Sequence, residues 1–292
     1  MSSSTVEPLA GTPAAARRRP RSVLPGFGLT LGCTLLFLAL VVALPLAALL
    51  MKSAALGWAD FLAVVGSPRA LATYRVTVGA ALAATLFNMA FGLLIAWILV
   101  RYEFPGRRAL DALVDLPFAL PTAVAGIALT GLFAGNGWFG QFLEPLGIKV
   151  AHSVTGIAVA MAFTSVPFVV RTVQPVLEDM DPELEEAARS LGATERQVFA
   201  RVVFPVILPA WLAGGSLAFA RSLGEFGAII FIAGNLPFRT EITALLAFIR
   251  LEEFDYSGAA AIATVMLLAA FLLLVLVNLL QAWQLRYLDK TP

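Results

Sequence analysis

Residues 179–209 read DMDPELEEAARSLGATERQVFARVVFPVILP. Asp181 followed by Pro182 is a helix N-cap with proline at the first helical position, where its missing N–H is not needed. Glu183, Glu185 and Glu186 place acid in the first turns, where the helix dipole favours it. Leu184, Ala187, Ala188 and Leu191 stand at helical spacing and form one apolar stripe. Gly192 then ends the helix as a C′ glycine. Thr194 and Gln197 fit a capping box, and from Val198 and Val202 onward no turn signal interrupts the chain before a long apolar run. The stretch predicts a short amphipathic helix, a glycine hinge, and a second helix continuous with a far longer one. A force applied to the short helix would pass along a rigid rod. Alanines on its stripe suit close docking in another protein's groove.

The run that this rod enters is one of six, at 29–51, about 73–100, 113–134, 154–176, 205–233 and 259–285. Each approaches the roughly 20 apolar residues that cross a bilayer. The first is too long for the core of a cleavable signal and reads as a retained helix. Composition agrees: 60% of the 292 residues are hydrophobic and 13% charged, with mean hydropathy +0.87. A soluble domain carries about 25% charge, so a water-exposed globule could not be covered here. The expected class is all-α integral membrane with about six transmembrane helices. Lysine and arginine divide thirteen to six between the two sets of connections, with Arg221 completing the 20. The richer set includes Arg17, Arg18, Arg19 and Arg21 before the first run, which places both termini in the cytoplasm.

Residues 1–25, rich in Ser, Pro, Ala and Arg, read as a disordered cytoplasmic tail, and 26–288 as the transmembrane domain, with its loop at about 179–204. The lone cysteine, Cys33, allows no internal disulfide. A net charge of +1 gives no argument for nucleic acid. Pro117 and Pro121 fall in one run and predict a kink, which lipid tolerates where neighbours or a cavity satisfy the freed backbone.

Several enzyme chemistries are excluded. The only lysines, Lys52, Lys149 and Lys290, follow Met51, Ile148 and Asp289, so no phosphate-binding Gly-Lys pair exists. His152 is the sole histidine, which rules out an H-E-x-x-H zinc site, and no G-x-S-x-G elbow accompanies it. Gly135-Asn136-Gly137-Trp138-Phe139-Gly140 matches G-x-G-x-x-G but follows a membrane helix rather than a strand, so it reads as a turn. No metal ligand set emerges.

Glu186-Ala187-Ala188, three residues, Gly192, nine residues and Val202-x-Phe204-Pro205 resemble the EAA loop of permease subunits of ATP-binding-cassette (ABC) importers. The family pattern ends in Ile-x-Leu-Pro, so Val202 and Phe204 depart conservatively. Phe219-Ala220-Arg221-Ser222-Leu223-Gly224-Glu225-Phe226-Gly227-Ala228 and Ala233-Gly234-Asn235-Leu236-Pro237 are similar to the oxyanion branch. The segment from Thr240 to Tyr256 resembles the T-type sulfate and thiosulfate permeases, and six helices favour them over shorter molybdate permeases.

The resemblance implies the type I importer fold, in a bacterial inner membrane, with 182–192 as the coupling helix. Glu183, Glu186, Ala187, Ala188, Leu191 and Gly192 would then meet a cytoplasmic ATPase dimer. ATP and Mg²⁺ would sit on that partner, and no cofactor on this chain. It implies further a second, W-type permease subunit and a periplasmic or lipid-anchored sulfate-binding protein.

Arg221 and Glu225 stand four apart, so they share a helix face if the helix continues through Gly224. They form the only charged pair that the sequence places in a span. Either Arg221 offers a divalent oxyanion a bidentate partner, with Ser222, Glu225, Pro117 and Pro121 along the path. Or the pair neutralises itself and holds the helix to a neighbour. Two other readings are a molybdate or tungstate permease and a secondary transporter. The latter predicts an inverted repeat, and none is evident.

Overall fold

A computed structural model describes residues 27–288. The tail expected over residues 1–25 lies outside them. The chain divides after Ala47 into two units. Among the described residues the first holds the opening part of helix α1, Phe27–Ala54, which is 28 residues long.

In the second unit, α2 (Trp58–Val65) precedes α3 (Pro68–Arg101), and α4 (Arg107–Ala119) leads to α5 (Thr122–Phe133) and the single turn α6 (Gly140–Leu143). Next come α7 (Val154–Glu178), α8 (Pro182–Ser190) and α9 (Glu195–Leu223). The short α10 (Ile229–Ile232), α11 (Thr243–Glu252) and α12 (Tyr256–Leu288) complete the order. Among the described residues five helices are long and apolar enough to cross a membrane, and six if the bent pair α4–α5 counts as one span.

That bend corrects one expectation. The run at 113–134 is not a straight crossing: α4 and α5 meet at 116°. The residue before a proline is pushed out of the helical region, and Leu120 ahead of Pro121 is extended at φ −86°, ψ 133°. Pro117 stays inside α4 and is buried. A second correction concerns 205–233, where the helix stops at Leu223 with Gly224 as its cap and restarts briefly as α10.

Prolines mark two further irregularities. A π-turn at Ala39–Ala43 precedes Pro45 in α1, and another at Phe199–Val203 precedes Pro205 in α9. In both, the proline ring would strike a carbonyl one turn back, and the widened turn makes room. The rod from Glu195 to Leu223 is therefore unbroken despite Pro205 and Pro209.

The core is built on α3, α7 and α9. Small residues let their backbones approach, the usual means of joining helices in lipid. A Cβ on Gly92 of α3 would lie 2.9 Å from Val169 of α7, and one on Gly214 of α9 would lie 2.2 Å from Thr172 Oγ1. A buried polar node ties the same three helices. Asn88 Nδ2 donates to Ala162 O and to Ser165 Oγ, each at 2.9 Å, and Ser222 Oγ donates to Ser165 Oγ at 3.1 Å. Asn88, Ser165 and Ser222 are fully buried.

Candidate functional site

The loop helix α8 is fixed at both ends by local chemistry. Asp181 Oδ1 accepts the Glu183 N–H at 2.9 Å. Gly192 takes φ +85°, a left-handed conformation that suits glycine alone among common residues at low cost. Thr194 and Gln197 close the capping box in both directions, with Thr194 N donating to Gln197 Oε1 at 2.8 Å.

Its faces divide unevenly. Glu183, Glu186, Ala187 and Gly192 are exposed, with Leu184 at 53% and Leu191 at 90%. Ala188 instead packs against the core cluster of α3, α7 and α9. The inward face also carries Glu185, only 5% exposed. Its carboxylate pairs with Arg101 at the end of α3, and its Oε2 accepts from Arg189 Nη2 at 3.1 Å. Arg189 reaches on to Glu195 at 2.7 and 3.1 Å, across the hinge. These bonds, Glu195 first, hold the Arg189 guanidinium above its ordinary pKa. Arg101, Arg189 and Glu195 were not among the residues expected at this site, and the helix dipole alone does not account for Glu185. The spacing of Glu185 and Arg189 gave a local signal. Arg101, 84 positions away, gave none.

At the other end of α9 lies the second constellation. Arg221 Nη1 sits 2.6 Å from Glu225 Oε2 although the helix has already ended. Glu225 is 2% exposed, and its Oε1 accepts the Ala228 N–H at 2.9 Å, so the carboxylate also shapes the turn into α10. Helix α5 is seated on that turn: a Cβ on Gly126 would lie 2.3 Å from Ala228 O. Ser222 is committed to the polar node described above. Pro121 marks the α4–α5 bend and is exposed. Arg221, Glu225 and Ser222 are thus brought together, whereas nothing places Pro117 or Pro121 against them.

Arg221–Glu225 is not the only ion pair on a span, contrary to the sequence reading. Arg69 of α3 binds Glu241 through Nε at 2.9 Å and Nη2 at 2.6 Å. Arg171 of α7 holds α4 through Asp111 and Asp115, with shortest distances of 2.6 and 2.7 Å. Both pairings join residues distant in sequence, which no local pattern shows. Among the described residues no cluster of His, Cys, Asp and Glu could hold a metal ion.

Residues 88–290 match the family described as binding-protein-dependent transport system inner membrane component. The sulfate transport system permease protein CysT of Salmonella typhimurium is 60% identical over 262 residues, covering 90% of this chain and 95% of that one. The CysT protein of Escherichia coli is 58% identical with the same coverage, and that of Synechocystis 51% over 254 residues, 87% of this chain and 89% of that one. The chain belongs to the CysT permease family. Like other CysT permeases it is a multi-span membrane component of an ABC transporter. Solved structures show the same fold at low identity. A bacterial ABC transporter that imports the polysaccharide alginate superposes with a TM-score of 0.73 at 16% identity, covering 88% of this chain and 94% of that one. The MetNI methionine transporter superposes with 0.56 at 16%, covering 75% and 98%.

Proposed function

We propose that this chain is the permease subunit of an ATP-driven importer that carries sulfate or thiosulfate across the bacterial inner membrane, with both termini cytoplasmic. The observation that carries the reading is α8. A capped nine-residue helix presents Leu184, Ala187 and Leu191 to solvent and is joined through Gly192 to a rod 29 residues long. Such a face, together with Glu183, Glu186 and Gly192, fits a groove on a cytoplasmic ATPase dimer that holds ATP and Mg²⁺. Ala188, turned to the core, supports the helix rather than the contact. The substrate follows from the relatives, which are named for sulfate transport. A W-type second permease and a periplasmic or lipid-anchored sulfate-binding protein complete the assembly, and the subunit itself performs no catalysis.

Arg221 is the candidate anion partner along the path. Glu225 holds Nη1 of its guanidinium and anchors it, while Ser222 holds the helix end; the Pro117–Pro121 bend would border the path without touching the pair. Labelled sulfate uptake into vesicles holding the whole complex tests the reading. Unlabelled sulfate and thiosulfate are expected to compete more strongly than molybdate. Stronger competition by molybdate than by sulfate would assign the chain to a molybdate permease, and uptake without any ATPase would assign it to a secondary transporter.

A further inference from the structure

The inward face of α8 carries a carboxylate whose partners are Arg101 at the end of α3 and Arg189 one turn on along α8 itself. Burying Glu185 is unfavourable unless the charge is paired and hydrogen-bonded. It is paired twice, with Arg101 of α3 and with Arg189. Arg189 in turn binds Glu195, the first residue of α9. The four side chains alternate in sign, sum to zero and span the Gly192 hinge.

Arg101 is itself held in a longer series of contacts. Its guanidinium lies 5.1 Å over the Trp97 ring, and Trp97 meets Phe199 of α9 edge-on at 5.3 Å. Phe199 touches Phe204 at 6.0 Å, and Phe204 meets Trp211 at 5.6 Å. Trp211 Nε1 then donates to Met89 O of α3 at 2.7 Å. Helices α3 and α9 are thus bound side by side from Arg101 to Met89, about 18 Å along the axis at 1.5 Å per residue.

We propose that Glu185 is a positioning residue that clips α8 to α3, so that the loop helix drives two spans at once. It moves α9 through the backbone and α3 through Arg101. Without the clip the backbone path runs through a glycine hinge, where a push is partly lost as bending. With it, Arg189–Glu195 braces the hinge, and α3 and α9 move as one block with α7, which the Asn88–Ser165–Ser222 node attaches. The inference rests on α8 being the element an ATPase acts on.

The test uses the whole complex in proteoliposomes and reads anions moved per ATP hydrolysed. Glu185→Gln is expected to lower that ratio about fivefold, within the range of coupling between contacting residues. Arg101→Gln is expected to lower the ratio to the same extent, and the double variant Arg101→Gln with Glu185→Gln no further than either alone, as two partners of one contact behave. Glu195→Gln alters a carboxylate that is 76% exposed and does not disturb the interior. It is expected to lower the ratio about twofold, a smaller coupling of the same kind, and serves if the buried variants do not assemble. An unchanged ratio in Glu185→Gln and Glu195→Gln, or a double variant whose loss is the product of the two single losses, overturns the clip. Failure of the wild-type complex to take up sulfate overturns the substrate assignment instead, and the same ratios are then read with thiosulfate or molybdate.

Discussion

At Gly126 the absence of a side chain decides how α5 meets the turn after Glu225. A Cβ there would lie 2.3 Å from the Ala228 carbonyl oxygen, a backbone atom that cannot rotate away. Gly126→Ala is therefore expected to destabilise the protein by about 1–3 kcal/mol, as overpacking does. Gly79→Ala on α3 is the matched control, because nothing lies within 4 Å of its Cβ position. Alanine is the better helix former by up to about 1 kcal/mol, so this variant melts at or above the wild type in detergent. A Gly126→Ala protein that melts with the wild type would mean that α5 does not rest on this turn. The same scale shows what was legible. Asp181, Gly192, Thr194 and Gln197 act on backbone groups within three residues, so their roles could be read from spacing. Glu185 and Arg69 find partners 84 and 172 positions away, and only the folded chain supplies them.

Among the elements, α4 and α5 depart furthest from the sequence reading. The six apolar runs correspond to five long apolar helices and the bent pair α4–α5, because lipid demands length and hydropathy of each. The bend at Leu120 was legible only as a kink, since proline fixes where a helix ends but not the angle at which the next begins. That angle is set by packing: α5 rests on the turn before α10, and α4 is held to α7 by Arg171. Arg171 donates to Asp115 twice, to the Asp111 side chain and carbonyl, and to Gln174. Asp111 and Asp115 are about half exposed, so water screens each pair. Asp111→Asn or Asp115→Asn is expected to cost about 0.5–1 kcal/mol. Arg171→Gln is expected to cost more than either, because it removes every bond of the clamp and leaves two carboxylates facing each other. Melting of the three variants in detergent reads the order. Equal midpoints for all three would mean that α4 is held by its apolar contacts alone.

Across the whole molecule, charge and polarity are placed where they join helices. The α8 end is closed by Arg101, Glu185, Arg189 and Glu195. The middle carries the Asn88–Ser165–Ser222 node, and the far end the pairs Arg221–Glu225 and Arg69–Glu241. Between these levels Gly92 and Gly214 let the backbones of α3, α7 and α9 approach closely. The proposed function requires α8 to stand on the cytoplasmic side and to be gripped there by an ATPase. A Leu191→Cys protein in a Cys33→Ala background offers a single thiol on the exposed face for a membrane-impermeant maleimide. Labelling is expected in inside-out vesicles, none in right-side-out vesicles, and protection when the ATPase subunit is bound. Labelling from the outer face, or labelling that the bound ATPase leaves undiminished, would contradict that function.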